Sequence, residues 1–216
     1  MDDILIVVVT YNSGQHIDNL LRNIPAALGP QQGRVVVVDN GSVDDTRARV
    51  RLTSDVRLIE STNIGYAAGL NLGIRSCERS TYVLVVNPDC VLEPDSVSRL
   101  VEGLAQPGVG ICVPVVRDGR GRRVDSLRRE PTLLRAVGLN STGHPLVSEY
   151  VKGEEAYTQA SEADWALGAV MAFRRDLWDV LGGWDESFFL YAEETDFCLR
   201  ARDRGWSTVL APHANV

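Results

Sequence analysis

The stretch Val83–Asp95, VLVVNPDCVLEPD, sets an apolar run against an abrupt polar stop. Val83–Val86 has the continuous apolar character of a strand buried on both faces, and Asn87-Pro88-Asp89 is built from turn formers. The pattern recurs upstream. ILIVVV (4–9) runs into Thr10-Tyr11-Asn12, VVVV (35–38) into Asp39-Asn40-Gly41-Ser42, and VRLIE (56–60) leads to Asn63-Ile64-Gly65-Tyr66. Amphipathic segments separate these runs. Residues 16–28 place Ile17, Leu20, Leu21, Ile24 and Leu28 at helical spacing. Asp44-Asp45-Thr46 opens an Arg-rich helix with acids at its positive end, and 66–77 and 95–105 read as helices. VGICVPVV (109–116) is a further strand. This alternation predicts an α/β fold, Rossmann-like, with a mostly parallel sheet flanked by helices and right-handed crossovers.

Ligands of such sheets bind beyond the carboxyl ends of the strands. Any one polar strand end is an ordinary turn. Four of them, carrying hydroxyls, amides and carboxylates to one edge, make a binding site the stronger reading. Asp89 then poses the sharpest question: turn residue, or holder of something at that edge. There is no G-x-x-x-x-G-K-[ST], so a P-loop nucleotide site is not expected. Gly65, Gly69 and Gly73 recur every fourth residue, on one helix face. Either tight packing on the sheet or close approach of a ligand accounts for them.

The composition is that of a soluble globular protein of 216 residues: 44% hydrophobic, 24% charged, net charge −7. That balance argues against nucleic acid as a partner. Cys77, Cys90, Cys112 and Cys198 have no C-x-x-C or zinc spacing and read as reduced thiols of a cytoplasmic protein. The start, MDDILIVVV, is not a signal peptide, and no apolar run approaches the about 20 residues of a membrane span. The expected organisation is a single domain over 1–216, with a first half over about 1–116 and a second half over about 117–216 that builds an additional lobe.

In that second half, RDGRGRRVDSLRREP (117–131) carries six arginines. It reads as a solvated hairpin, or as a grip on an anionic acceptor through Arg128 or Arg129. Residues 140–162 are polar and irregular, the character of an acceptor loop. WALGAVMAFRR (165–175) returns as a strand. Asp185, Glu186, Glu193, Glu194 and Asp196 follow within twelve residues. Residues 193–204 read as a helix with acids first, Arg200, Arg202 and Arg204 last, and Gly205 as the stop. Dipole complementarity explains these acids. So does catalysis, because Phe188-Phe189-Leu190-Tyr191 would wall a carboxylate with apolar groups and suit it to general base work.

Taken together, VVVTYNS (7–13), VVVDNGSVDDT (36–46), NIGYAAGLNLGI (63–74), VVNPDC (85–90), ALGAVMAFRRDLWDVLGGWDESFF (166–189) and LYAEETDFCLRARDRGW (190–206) resemble the inverting glycosyltransferases of family 2, which have the GT-A fold. The combination of NPD, GGWDE and Y-x-E-[DE]-x-D is most similar to bacterial rhamnosyltransferase-type members that build cell-envelope polysaccharides or glycolipids. The resemblance implies roles by position. Thr10, Tyr11 and Asn12 would line the base and ribose pocket, and Asp39 would accept a hydrogen bond from the pyrimidine. Asn63, Gly65 and Asn71 would border nucleotide and donor sugar. Asn87 and Asp89 stand where the family has D-x-D, with Asp89 as the carboxylate ligand of Mg²⁺ or Mn²⁺. Trp165, Gly168, Trp184 and Asp185 would sit near donor sugar or acceptor. The base would come from Glu194, with Glu193 and Asp196 as alternatives.

The implied donor is a nucleoside diphosphate sugar, dTDP-rhamnose first and a UDP-sugar next. The implied acceptor is a saccharide or glycolipid, with peripheral association at the inner face of the plasma membrane. Many members carry a metal-binding His in a P-x-A-x-V-x-H stretch. Here Pro212–Val216 matches its start, so that His is expected two residues past Val216, on a chain truncated at its C-terminus, and His213 is not its equivalent. A sugar nucleotidyltransferase would want a basic Gly-rich loop after the first strand, and TYNSGQH has no Lys or Arg. A non-catalytic nucleotide-sugar-binding relative is the remaining alternative.

Overall fold

The computed structural model describes residues 3–77, 80–136 and 140–216. Four β-α steps and a fifth strand open the chain: β1 (Asp3–Thr10), α1 (Ile17–Leu28), β2 (Gln32–Asp39), α2 (Thr46–Arg51), β3 (Val56–Glu60), α3 (Tyr66–Arg75), β4 (Tyr82–Val86), α4 (Ser96–Leu104) and β5 (Val109–Val115). Next come β6 (Leu127–Arg128), two single-turn helices, α5 (Leu133–Ala136) and α6 (Glu155–Thr158), and β7 (Glu162–Ala163). The chain closes with β8 (Trp165–Ala166), β9 (Val170–Arg174), α7 (Arg175–Leu181), α8 (Glu193–Arg202) and β10 (Ser207–Asn215).

The main sheet has eight strands in the order β3-β2-β1-β4-β9-β5-β10-β7. β1 pairs in parallel with β2 and β4, β2 with β3, and β5 with β10. β9 runs antiparallel between β4 and β5, and β7 antiparallel on the edge. The sheet is therefore mostly parallel, as expected, but it draws strands from both halves of the sequence.

Side chains alternate between two cores, as a pleated strand requires. Leu5, Val7 and Val9 of β1 face α3, α7 and α8, whereas Ile4, Ile6 and Val8 face α1 and α4. The helix-spaced glycines resolve as packing. A Cβ on Gly69 would lie 3.0 Å from Val9, and one on Gly73 would lie 2.5 Å from Val7. Gly65 differs: its φ is +91°, and its close neighbour is the carbonyl of Phe189.

The expected single strand over 165–175 is two strands in different sheets. β8 pairs with β6, β9 joins the main sheet, and Leu167-Gly168-Ala169 breaks out between them. The arginine-rich segment turns as a hairpin, with Asp118 accepting from the backbone N–H groups of Arg120 and Arg122 at 2.9 Å. Arg128 and Arg129 are spent inside this lobe. Arg128 is buried and stacks on the Tyr150 ring at 3.7 Å, while Arg129 donates to the carbonyls of Ser148 and Tyr150.

Candidate active site

The polar strand ends meet along the carboxyl edge of β1–β4, in two adjoining cavities. The smaller, about 140 Å³, lies against Thr10, Tyr11, Asn40, Asn63 and Gly65, with Phe189 and Leu190 opposite. The larger, about 290 Å³, is bounded by Asn87, Gly168, Trp184, Leu190, Glu193 and Glu194. Tyr66 and Leu190 line both, so the cavities form one cleft. Larger clefts elsewhere are lined by charges already paired, such as Arg174–Asp176 and Arg175–Asp179.

The first cavity rests on a tight polar frame. Thr10 Oγ1 donates to Asp39 Oδ1 at 3.2 Å, and Ser42 N–H donates to Asp39 Oδ2 at 3.0 Å. Arg47 stands 3.7 Å from the same carboxylate, whose side chain is only 1% exposed. Asp39 thus organises the β2 turn with both oxygens engaged. Asn12 adopts φ 53° and accepts from Val43 N–H at 2.9 Å, which binds the β1 turn to the β2 turn. Asn40 bridges to Asn63 and to the Gly65 carbonyl. Tyr11 is exposed at the rim.

The second cavity gathers the catalytic candidates. Glu193 is buried, Glu194 half-buried, and one Oε2 oxygen of each is sealed from solvent without a hydrogen-bond partner among the described residues. The indole N–H of Trp184 is in the same condition. A buried polar atom left unpaired calls for an explanation, and a catalytic role is one that suits carboxylates lining a cleft. Burial, assisted by the charge of Glu194, pushes the Glu193 carboxyl above its ordinary value. Gly168, in the break between β8 and β9, lies against Glu194, where a Cβ would come within 3.2 Å. Trp184 is fixed by stacking on Phe197, with ring centroids 4.2 Å apart.

Other expected residues lie elsewhere. Asp196 is held by Arg200 at 2.7 Å, one helical turn on, and is absent from the lining. Arg200 also donates to the carbonyls of Leu181 and Gly183, so Asp196 belongs to the brace of the 181–183 turn. Asn71 is fully buried. Its Nδ2 donates to the Trp184 carbonyl and to Glu186, both at 2.8 Å, and its Oδ1 accepts from Trp184 N–H at 3.0 Å. It anchors the GGWDE turn from beneath rather than lining the cleft. Asp185 is exposed and accepts from Ser187 N–H, which holds its carboxyl below the ordinary range. Trp165 lies outside both cavities, its indole N–H on the Arg129 carbonyl.

Asp89 is exposed at the β4 end, with no hydrogen bond or ion pair among the described residues. Those residues contain no cluster of three or more His, Cys, Asp or Glu able to hold a metal. A lone carboxylate oxygen fits a hard cation whose other ligands come from phosphate and water. His213 is exposed on β10.

Tyr66 closes one of the four strand ends read from the sequence, but the sequence assigns it no site role. It is the first residue of α3, its backbone N–H donates to Phe189 O at 2.8 Å, and its hydroxyl donates to Asn87 Oδ1 at 2.9 Å. Burial first, then the nearby Glu193, Glu194, Cys90 and Asp89, push its phenol well above the ordinary range. The available signal was its position directly after Gly65, at the mouth of a strand-to-helix turn.

The Glycosyl transferase family 2 pattern matches residues 5–176. The N-acetylglucosaminyl-diphospho-decaprenol L-rhamnosyltransferase of Mycobacterium tuberculosis (strain ATCC 25618 / H37Rv) is 30% identical over 235 residues, covering 100% of this chain and 76% of that protein. Rhamnosyltransferase WbbL of Escherichia coli (strain K12) is 23% identical, covering 91% of this chain and 76% of its own length. Among solved structures, the mannosyltransferase PcManGT from Pyrobaculum calidifontis, in complex with GDP-Man and Mn²⁺, aligns with a TM-score of 0.68 at 21% identity. That alignment covers 99% of this chain, which spans just over half, 56%, of the mannosyltransferase chain. The shared fold is GT-A, and with the family pattern running through β1 to α7, the chain belongs to glycosyl transferase family 2.

Proposed function

We propose that this chain is an inverting glycosyltransferase that moves a sugar from a nucleoside diphosphate donor to a hydroxyl of a saccharide or glycolipid. The donor is dTDP-rhamnose, with a UDP-sugar as the second choice. The observation that carries the reading is the pair Glu193 and Glu194, each with a sealed, partnerless oxygen in the cavity that also holds Asn87 and Tyr66. The likeness to two proteins named as rhamnosyltransferases supports the choice of sugar, and the name of the first supports a lipid-linked acceptor.

The donor's nucleoside occupies the Thr10–Asn63 cavity and its sugar the larger one. The acceptor oxygen attacks the anomeric carbon opposite the leaving diphosphate. A carbon–oxygen bond forms on one face as the anomeric carbon–oxygen bond breaks on the other. The attacking hydroxyl must lose its proton in that step, and Glu194 accepts it. Asp196 is unavailable because Arg200 holds it. Glu193 lies deeper, and burial disfavours its charged form. Leu190, Leu167 and Val85 exclude water that would otherwise take the sugar. Asp89 would hold Mg²⁺ or Mn²⁺, which when bound offsets the charge gathering on the diphosphate.

The first 116 residues mainly serve the nucleotide, and the remainder supplies the acceptor side and the catalytic acids. No helix among the described residues is long and apolar enough to cross a membrane. We place the enzyme in the cytoplasm, reaching lipid-linked acceptors at the inner face of the membrane. The test is nucleotide release from dTDP-rhamnose and from UDP-sugars, with Mn²⁺ and a panel of lipid-linked and free saccharide acceptors. Acceptor-dependent release of dTDP that Glu194→Gln abolishes is expected. Equal release by both proteins, or none from any donor, refutes the proposal.

A further inference from the structure

We infer that Asn87 is a hydrogen-bond donor to the donor's diphosphate, oriented by Tyr66, and not a ligand of the metal. The inference rests on the reading of the cleft as a nucleoside diphosphate site. An amide has two different ends, and which end faces a ligand depends on what fixes the other. Here the Tyr66 hydroxyl donates to Asn87 Oδ1 at 2.9 Å. A phenol hydroxyl has one proton to give, and Asn87 Oδ1 is where it goes. Asn87 N–H is itself tied to the Ala169 carbonyl at 2.8 Å, which fixes the backbone of the strand end. The amide nitrogen Nδ2 makes no hydrogen bond among the described residues, and Asn87 lines the larger cavity beside Glu193 and Glu194. With Oδ1 engaged, the end of the amide left for a ligand is an –NH₂ with two donors.

The electrostatics agree. Glu193 and Glu194 line the same cavity as Asn87, and Asp89 follows two residues on, so three carboxylates already lie near this spot. A fourth at position 87 would repel a diphosphate whenever no cation stood between them. An amide removes that repulsion and adds an attractive contact to a phosphate oxygen, of the charge-assisted kind. The metal is then left to the single carboxylate of Asp89. This division predicts a nucleotide affinity that is partly independent of metal.

The experiment is calorimetric titration of dTDP and UDP, at up to millimolar nucleotide, in EDTA and in Mn²⁺. The proteins are wild type, Asn87→Asp, Tyr66→Phe and the double variant. Asn87→Asp is isosteric and still accepts from Tyr66, so the fold is kept and only the donor is exchanged for a charge. Wild type should bind in EDTA, and Asn87→Asp should weaken that binding by about ten- to a hundredfold, the range for a hydrogen bond to a charged group. Its affinity in Mn²⁺ should fall by much less. Tyr66→Phe frees the amide to rotate and should weaken metal-free binding about three- to tenfold, whereas the same change added to Asn87→Asp should cost nothing further, because a carboxylate has two equal ends. Metal-free binding by Asn87→Asp within twofold of wild type overturns the inference, as does wild-type binding seen only with Mn²⁺. No binding by wild type under either condition fails the nucleotide reading itself.

Discussion

Asn71→Ala separates the two roles that residue 71 could have. The resemblance puts Asn71 beside the donor; its contacts put it under the GGWDE turn. Alanine is the better helix former by several tenths of a kcal/mol, so α3 itself should not suffer. The loss falls on Trp184, whose N–H at 3.0 Å and carbonyl at 2.8 Å both end on the Asn71 amide. Trp184 is 3% exposed, so water cannot replace those bonds. Leaving two buried backbone groups unpaired costs about 1–3 kcal/mol each, or about 2–6 kcal/mol in all. The Arg75–Glu186 pair nearby is solvent-exposed and offsets little of this. Against a typical total of about 5–15 kcal/mol the variant stays folded, with its melting temperature lowered by roughly 5–15 °C. Urea denaturation measures the loss, and calorimetry with dTDP measures the nucleotide site. The nucleotide affinity should stay within about threefold of wild type, since the Thr10–Asn63 cavity shares no partner with Asn71. A stability loss under about 1 kcal/mol together with a tenfold weaker nucleotide would refute the buttress assignment.

Glu194→Gln should lower transfer by about 10²–10⁴-fold with donor binding retained, and Asp196→Asn, which only loosens the Arg200 brace, should cost less than tenfold. Initial rates with each variant decide which acid is the base. Glu193 gives a pH signature in stability. Its carboxyl is raised in the native state above the ordinary 4.5, so wild type loses stability as pH rises from about 4.5 through the raised value. Glu193→Gln should therefore be the more stable protein at about pH 8, and the gap should close toward about pH 4, as read from denaturation midpoints. Gly73→Ala should destabilise by about 1–3 kcal/mol, because the new methyl lands 2.5 Å from Val7; an unchanged urea midpoint would contradict the packing explanation.

The first half of the fold was legible because each buried strand is a continuous apolar run with a polar stop. ILIVVV, VVVV and YVLVV became β1, β2 and β4 with their ends aligned on one edge. Strand order was not legible. Nothing in VMAFR says that it runs antiparallel between β4 and β5, since apolar character reports burial and not partner. The break at Leu167-Gly168-Ala169 was hidden for the same reason: apolar residues line the cavity there as they would fill a strand.

Within the site, residue types drew attention to the strand ends and to the 185–196 acids but could not rank those acids. Only the helix geometry gives Asp196 to Arg200 and leaves Glu193 and Glu194 facing the cavity. Tyr66 has no role legible beyond its place in a strand end until the structure sets its hydroxyl against Asn87. Arg128 and Trp165 show the converse. Both have the chemistry of acceptor binding, yet one stacks on Tyr150 and the other donates to a backbone carbonyl.

The central claim is that this edge binds a metal-bound nucleoside diphosphate through Asp89, and titration of dTDP and UDP with Mn²⁺ into wild type and Asp89→Ala tests it most directly. Wild type should bind at least one nucleotide about tenfold or more tighter with Mn²⁺ than in EDTA, and Asp89→Ala should show only the EDTA affinity under both conditions. A Mn²⁺ enhancement that survives Asp89→Ala unchanged would contradict the account.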